Sequence, residues 1–187
     1  MIDKLAVLEH YEASFNGKSA DEHLPPTSDR AVFDHPFCVW EFPSTHDRPY
    51  WKYATFGMCF RKVQDRDPIE LHLFSPVQDR KHVELLSAIA HFHLTAGALW
   101  EGHVVNFGRP WLPKSRCSYG LISKPYVDGP DLEYCPIPVV GMIRFLWLLP
   151  ITSEERNLAL NSGLEALEAR FDRAQLDFLD AARASTV

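Results

Sequence analysis

Nine histidines are spread through a chain of 187 residues, and histidine near carboxylate is the raw material of metal-assisted hydrolysis. In IELHLF, Glu70 and His72 are two residues apart and share one face of a strand. Joined by His103 they would form a two-histidine, one-carboxylate set that could hold an ion and activate water. His91 and His93 have the same spacing, but their stretch HVELLSAIAHFHL has helical periodicity. That points them about 200° apart, so they cannot share one ion. His103 lies in WEGHVVNFGRPW beside Gly102 and between Trp100 and Trp111, a composition suited to an active-site mouth or to a recognition surface. No GxSxG elbow, GxGxxG turn or GxxxxGK[ST] loop is present. Cys38, Cys59, Cys117 and Cys135 form no CxxC pair and are expected to be reduced, buried thiols. Glu154 and Glu155 fit the positive end of a helix better than acid–base work.

Composition narrows the partners. The net charge is -6 with no basic cluster, which argues against nucleic acid, because phosphate binding needs Lys and Arg on one face. The N-terminus lacks the apolar core of a signal peptide. The longest apolar stretch, PIPVVGMIRFLWLLPI, is interrupted by Arg144 and falls short of the ~20 residues that a membrane-spanning helix needs. A soluble, cytoplasmic protein is expected. No cofactor is expected, and no metal, since no chelating pair is visible within a turn or strand. The five Trp and twelve Phe are generous for one core and suggest an apolar recognition surface. Trp100 and Trp111 are its expected anchors, with His103 between them, because they flank a loop while Trp40 and Trp51 sit in alternating strands.

Positioning these residues requires a change of period along the chain. Ile2, Leu5, Leu8 and Phe15 predict a helix over about 2–15 that stops at Asn16-Gly17. SADEHLPPTSDR reads as loop, so a helix and loop over 1–30 precede a domain over 31–187, one compact body overall. FCVWEF, YWKYATFGMCF and IELHLF read as strands; HVELLSAIAHFHL reads as a helix, and HVVNF and SYGLIS as short strands. VVGMIRFLWLL is apolar on both faces, as a central strand is. Its charged exception, Arg144, is expected to pair with Glu70 on a neighbouring strand. Thr152 and Glu155 make a capping box. Leu160, Leu164, Leu167 and Phe171 continue at helical spacing past Gly163, and DRAQLDFLDAAR predicts a last helix. The fold class is α+β, a mixed β-sheet packed with helices.

Five stretches, taken in order, resemble the suppressor-of-fused domain family. RPYWKYATFGM resembles its strand ending in a [TS]-x-G-[ML] turn, at Thr55, Gly57 and Met58. IELHLF resembles its following E-L strand at Glu70 and Leu71, and LSAIAHF its central helix. WEGHVVNFGRPW resembles its G-[DH]-x-V segment through Gly102, His103 and Val105, and FLWLLPITSEER its strand-to-helix junction. The resemblance spans about residues 31–172 and implies a protein-binding module without catalytic chemistry. Animal members restrain zinc-finger transcription factors by gripping a peptide as an added strand, and the chain is similar to the first of their two domains. The short turn KVQDRDP replaces a longer insertion, so their peptide-gripping residues do not transfer. Short members resemble bacterial proteins, and the resemblance extends to immunity proteins that neutralise toxins. The acidic charge would suit a basic toxin partner. The competing expectation is the hydrolase built on His72, Glu70 and His103.

Overall fold

In the first helix, α1 (Lys4–Phe15), the buried residues are Val7, Tyr11 and Phe15, one every four positions. Asp3 caps its start by accepting from the Leu5 amide at 2.9 Å, and Asn16 ends it in the left-handed conformation, as the sequence predicts. The computed structural model describes residues 2–18, 21–25, 33–138 and 141–187. The chain forms two compact units, Met1–Trp100 with Lys124–Trp147, and Glu101–Ser123 with Leu148–Val187. Helix α1 belongs to the first of these.

The first unit is built on strands β1 (Asp21–His23), β2 (Cys38–Phe42), β3 (Trp51–Phe56) and β4 (Ile69–Ser75), each antiparallel to the next. Strand β4 then pairs in parallel with β8 (Gly141–Ile151), making the sheet mixed, and β7 (Tyr134–Ile137) pairs antiparallel with β8. Helix α1 covers one face. The Tyr11 ring lies 4.8 Å from Phe145, and Phe15 lies 5.1 Å from Phe42 and 5.6 Å from His72. The opposite face meets α2 (Lys81–Thr95), whose His82 ring is 5.0 Å from Tyr53. A one-turn helix α3 (Pro130–Glu133) closes on α1, where His10 Nε2 is 2.9 Å from the Leu132 carbonyl oxygen.

Three expectations are corrected here. Strand β3 ends at Phe56, because Gly57 takes φ 116° and the chain continues as a 3₁₀ turn, Met58–Phe60. A Cβ on Gly57 would stand 2.6 Å from the Pro36 carbonyl oxygen, so only glycine fits. Within the stretch read as loop, Asp21–His23 forms edge strand β1; residues 19–20 and 26–30 lie outside the described residues. Arg144 does not meet Glu70. The register sets Arg144 opposite Ile69, while Glu70 is opposite Phe145, so Arg144 and Glu70 point to opposite faces. Arg144 bonds Glu133 instead, Nε to Oε1 at 2.8 Å.

The second unit holds the antiparallel pair β5 (Val104–Asn106) and β6 (Tyr119–Ser123), the last residues of β8, α4 (Ser153–Ser162) and α5 (Leu164–Ala174). The capping box forms in full: Thr152 Oγ1 accepts from the Glu155 amide at 3.3 Å, and Glu155 Oε2 accepts from the Thr152 amide at 2.8 Å. Gly163, at φ 90°, separates the two helices, and Leu160 is 60% exposed rather than in the core. No helix follows α5. Asp177 accepts from the amides of Leu179 and Asp180, and Asp180 from that of Ala182, local bonds that compete with helical pairing. The segment instead folds back on α4, where Arg183 donates to Glu155 Oε1 at 2.6 Å and Oε2 at 2.8 Å. Among the described residues no helix is long and apolar enough to cross a membrane.

Candidate functional site

Glu70 is fully buried where β3 leaves β4. The ladder between them stops at Ala54–His72, and Thr55 Oγ1 takes over, accepting from the Leu71 amide at 2.8 Å. The Glu70 carboxylate fills the opening. It accepts from Thr55 Oγ1 at 2.6 Å, from the Gly57 amide at 2.8 Å and from the Cys59 amide at 3.1 Å. Burial pushes its carboxyl above the ordinary value, although all of these donors favour the charge. The residues that carried the T-x-G and E-L resemblance therefore fasten a turn.

His72 is sealed under α1, and burial drops its pKa to about 3. Its Nε2 lies 3.7 Å from Asp128 Oδ2, beyond hydrogen-bond reach, and Asp128 is held by Arg48 through Oδ1. Burial raises the Asp128 carboxyl above its ordinary value and lowers the nearby Lys52 to about 8. With no exposed surface on His72 or Glu70, no substrate reaches either. His103 lies half-buried in the second unit, so the expected His72, Glu70 and His103 set is not assembled within either unit. The four cysteines are free and buried; burial lifts Cys38 to about 12 and drives Cys59, Cys117 and Cys135 upward, leaving no activated thiolate. Among the described residues one set of donors is close enough to hold a metal ion, Asp21, His23 and Glu41, within 4.8 Å of one another.

Of the two tryptophans expected at the surface, Trp111 is 4% exposed and its amide donates to the Cys117 carbonyl. Its burial makes it an interior residue of the second unit, which corrects its place as an exposed anchor. Trp100 is half-exposed, with the Arg66 guanidinium 4.1 Å above its ring. Arg66 also lines an open groove of about 540 Å³ in the first unit. Phe60, Val63, Pro68, Ile2 and the exposed Met142 supply its apolar surface, and Lys62, Arg66 and Asp67 its charged surface. A neighbouring depression shares Ile2 and Phe60 and extends the apolar surface through Pro36 and Phe56. Arg61 is turned away to the His93 carbonyl, a bond that anchors the 3₁₀ turn to the end of α2. The groove brings together residues from three distant parts of the chain, Ile2, the stretch 59–68 and the start of β8. No local motif announces it.

A mixed sheet covered by helices, with buried polar groups committed to turns, is the frame of an α+β domain. The suppressor of fused protein family model matches residues 34–184. A suppressor-of-fused homologue from Neisseria gonorrhoeae FA 1090 has a crystal structure that is 33% identical, with TM-score 0.81, covering 98% of this chain and 96% of that one. The chain belongs to the suppressor of fused family. Two further structures share the fold at 15% identity. The Sufu–Fu complex has TM-score 0.69 over 99% of this chain and 92% of that one. Drosophila Suppressor of Fused has TM-score 0.68, and the match covers 97% of this chain and 50% of that one. No functionally curated protein matches the chain in sequence.

Proposed function

We propose that this protein is a non-enzymatic protein-binding module whose contact surface is the groove around Phe60, Val63 and Met142, with Trp100 and Arg66 at its rim. The observation that carries this reading is the exposed apolar floor itself, since Met142 is 37% exposed beside half-buried Phe60 and Val63. Aromatic and methionine side chains next to arginine are the composition of interface anchors. The sealing of Glu70 and His72 supports the absence of catalysis, and the Sufu–Fu complex is a relative seen with a protein partner. His103, half-exposed in the second unit, keeps its place as a contact candidate.

The finer role is neutralisation of a toxin in the bacterial cytoplasm. The acidic balance of -6 supports a partner that is basic overall, and at the groove Lys62 and Arg66 would suit local acidic groups beside the apolar contact, and Asp67 a basic one. Co-expression with a toxin encoded beside the gene tests it. Growth should be restored, and Trp100→Ala should weaken binding by ~2 kcal/mol while leaving thermal stability intact. Trp111→Ala should lower stability with no separate loss of affinity. Restored growth with an unaltered affinity of Trp100→Ala would remove the groove from the account, and failure to restore growth would remove the toxin.

A further inference from the structure

Asp21 and Glu41 stand directly opposite each other across β1 and β2, and His23 follows Asp21 by two residues on the same face. Like charges in opposed positions destabilise a strand pair, and Glu41 is only 3% exposed, so water screens it poorly. Gln78 Nε2 donates to Glu41 Oε1 at 2.6 Å, which fixes the carboxylate and leaves Oε2 facing His23 Nε2 at 3.4 Å. That separation exceeds a charge-assisted hydrogen bond of about 2.7–2.9 Å. The buried Nε2 atom has no hydrogen-bond partner. A gap of 3.4 Å matches the edge of a tetrahedron of ligands about 2.1 Å from a central ion. The outer oxygen left to Gln78 is the kind of contact that orients a metal-binding carboxylate.

We propose that Asp21, His23 and Glu41 form a zinc-type divalent cation site that clips edge strand β1 to β2. One imidazole and two carboxylates suit zinc, with the fourth position open to solvent. The ion replaces the repulsion between Asp21 and Glu41 with a shared attraction. Asp21, exposed at the edge, closes the remaining span by side-chain rotation, since all three donors already lie within 4.8 Å. Tag-free protein stripped with chelator and titrated with zinc sulfate in a calorimeter tests this independently of any protein partner. One equivalent should bind, His23→Ala and Asp21→Asn should each weaken it at least tenfold, and zinc should slow amide exchange at residues 21–23 in the unaltered protein alone. Both variants change an edge that is not part of the core, and matching melting temperatures without metal verify their folding. Absence of saturable binding overturns the site. So does binding that survives both substitutions, which would belong to other histidines.

Discussion

The Glu70 carboxylate spans the fork between β3 and β4, and three donors bond to it: Thr55 Oγ1 and the amides of Gly57 and Cys59. Its removal leaves the Gly57 and Cys59 amides unsatisfied in a buried site, at about 1–3 kcal/mol for each, while Thr55 Oγ1 keeps the Leu71 carbonyl at 3.2 Å. Glu70→Ala should therefore lower unfolding free energy by ~4 kcal/mol, read from the urea midpoint. Arg144→Ala should cost ~1 kcal/mol, because its bond to Glu133 is partly open to solvent, with the side chains 19% and 13% exposed. Equal costs would contradict the separate roles given to the two side chains. The sequence marks both as charged exceptions in apolar strands, but a shift of one position in register decides which face each takes, and register is a property of two strands. His72 gives a pH prediction. Its folded pKa of about 3 lies below the ordinary 6.5, so between these values the unfolded chain binds the extra proton. The stability associated with neutral His72 is complete above pH 6.5 and is lost as pH falls towards 3. Against His72→Phe, the unaltered protein should lose ~2 kcal/mol between pH 6.5 and 4.5, measured by denaturant titration. Parallel curves for the two proteins would contradict the assignment.

Helix α4 shows how an element can be legible at its start and hidden in its support. Thr152 and Glu155 are readable as a capping box because the signal lies within four residues. Glu155 is also the seat of the folded-back C-terminal segment: besides Arg183, the Thr186 amide and hydroxyl each donate to Oε1 at 3.0 Å. Burial would raise its carboxyl, but Arg183 and the backbone donors hold it below the ordinary value. The helical period of DRAQLDFLDAAR is overridden by Asp177 and Asp180 binding their own backbone, a competition that periodicity does not register. Arg183→Ala leaves Glu155 buried with its main cation gone and should cost ~3 kcal/mol or more. Hydrogen exchange should then quicken together in residues 152–156 and 183–187. Faster exchange in the tail alone would mean that the two segments are not coupled.

For the whole molecule, the order of the longer strands and helices is readable because each carries its own period, whereas β1, α3 and β7 are too short to show one, and the five stretches in sequence indicate the family that the comparisons show. The groove proposed as the contact surface is not readable. Ile2, the pair Phe60 and Val63, and Met142 come from three remote parts of the chain, and each alone looks like an ordinary core residue. Excess tryptophan points towards a recognition surface, yet Trp111 is interior, and Trp100 meets the groove-lining Arg66 across 4.1 Å without lining the groove itself. Site-specific crosslinking tests recognition through this apolar groove. A photoreactive amino acid at position 142, in cells of the native host, should give one discrete adduct with a partner protein. The same group at position 160, on an exposed face of α4 in the second unit, should not give that adduct. No adduct at 142, or the same adduct at both positions, would contradict the account.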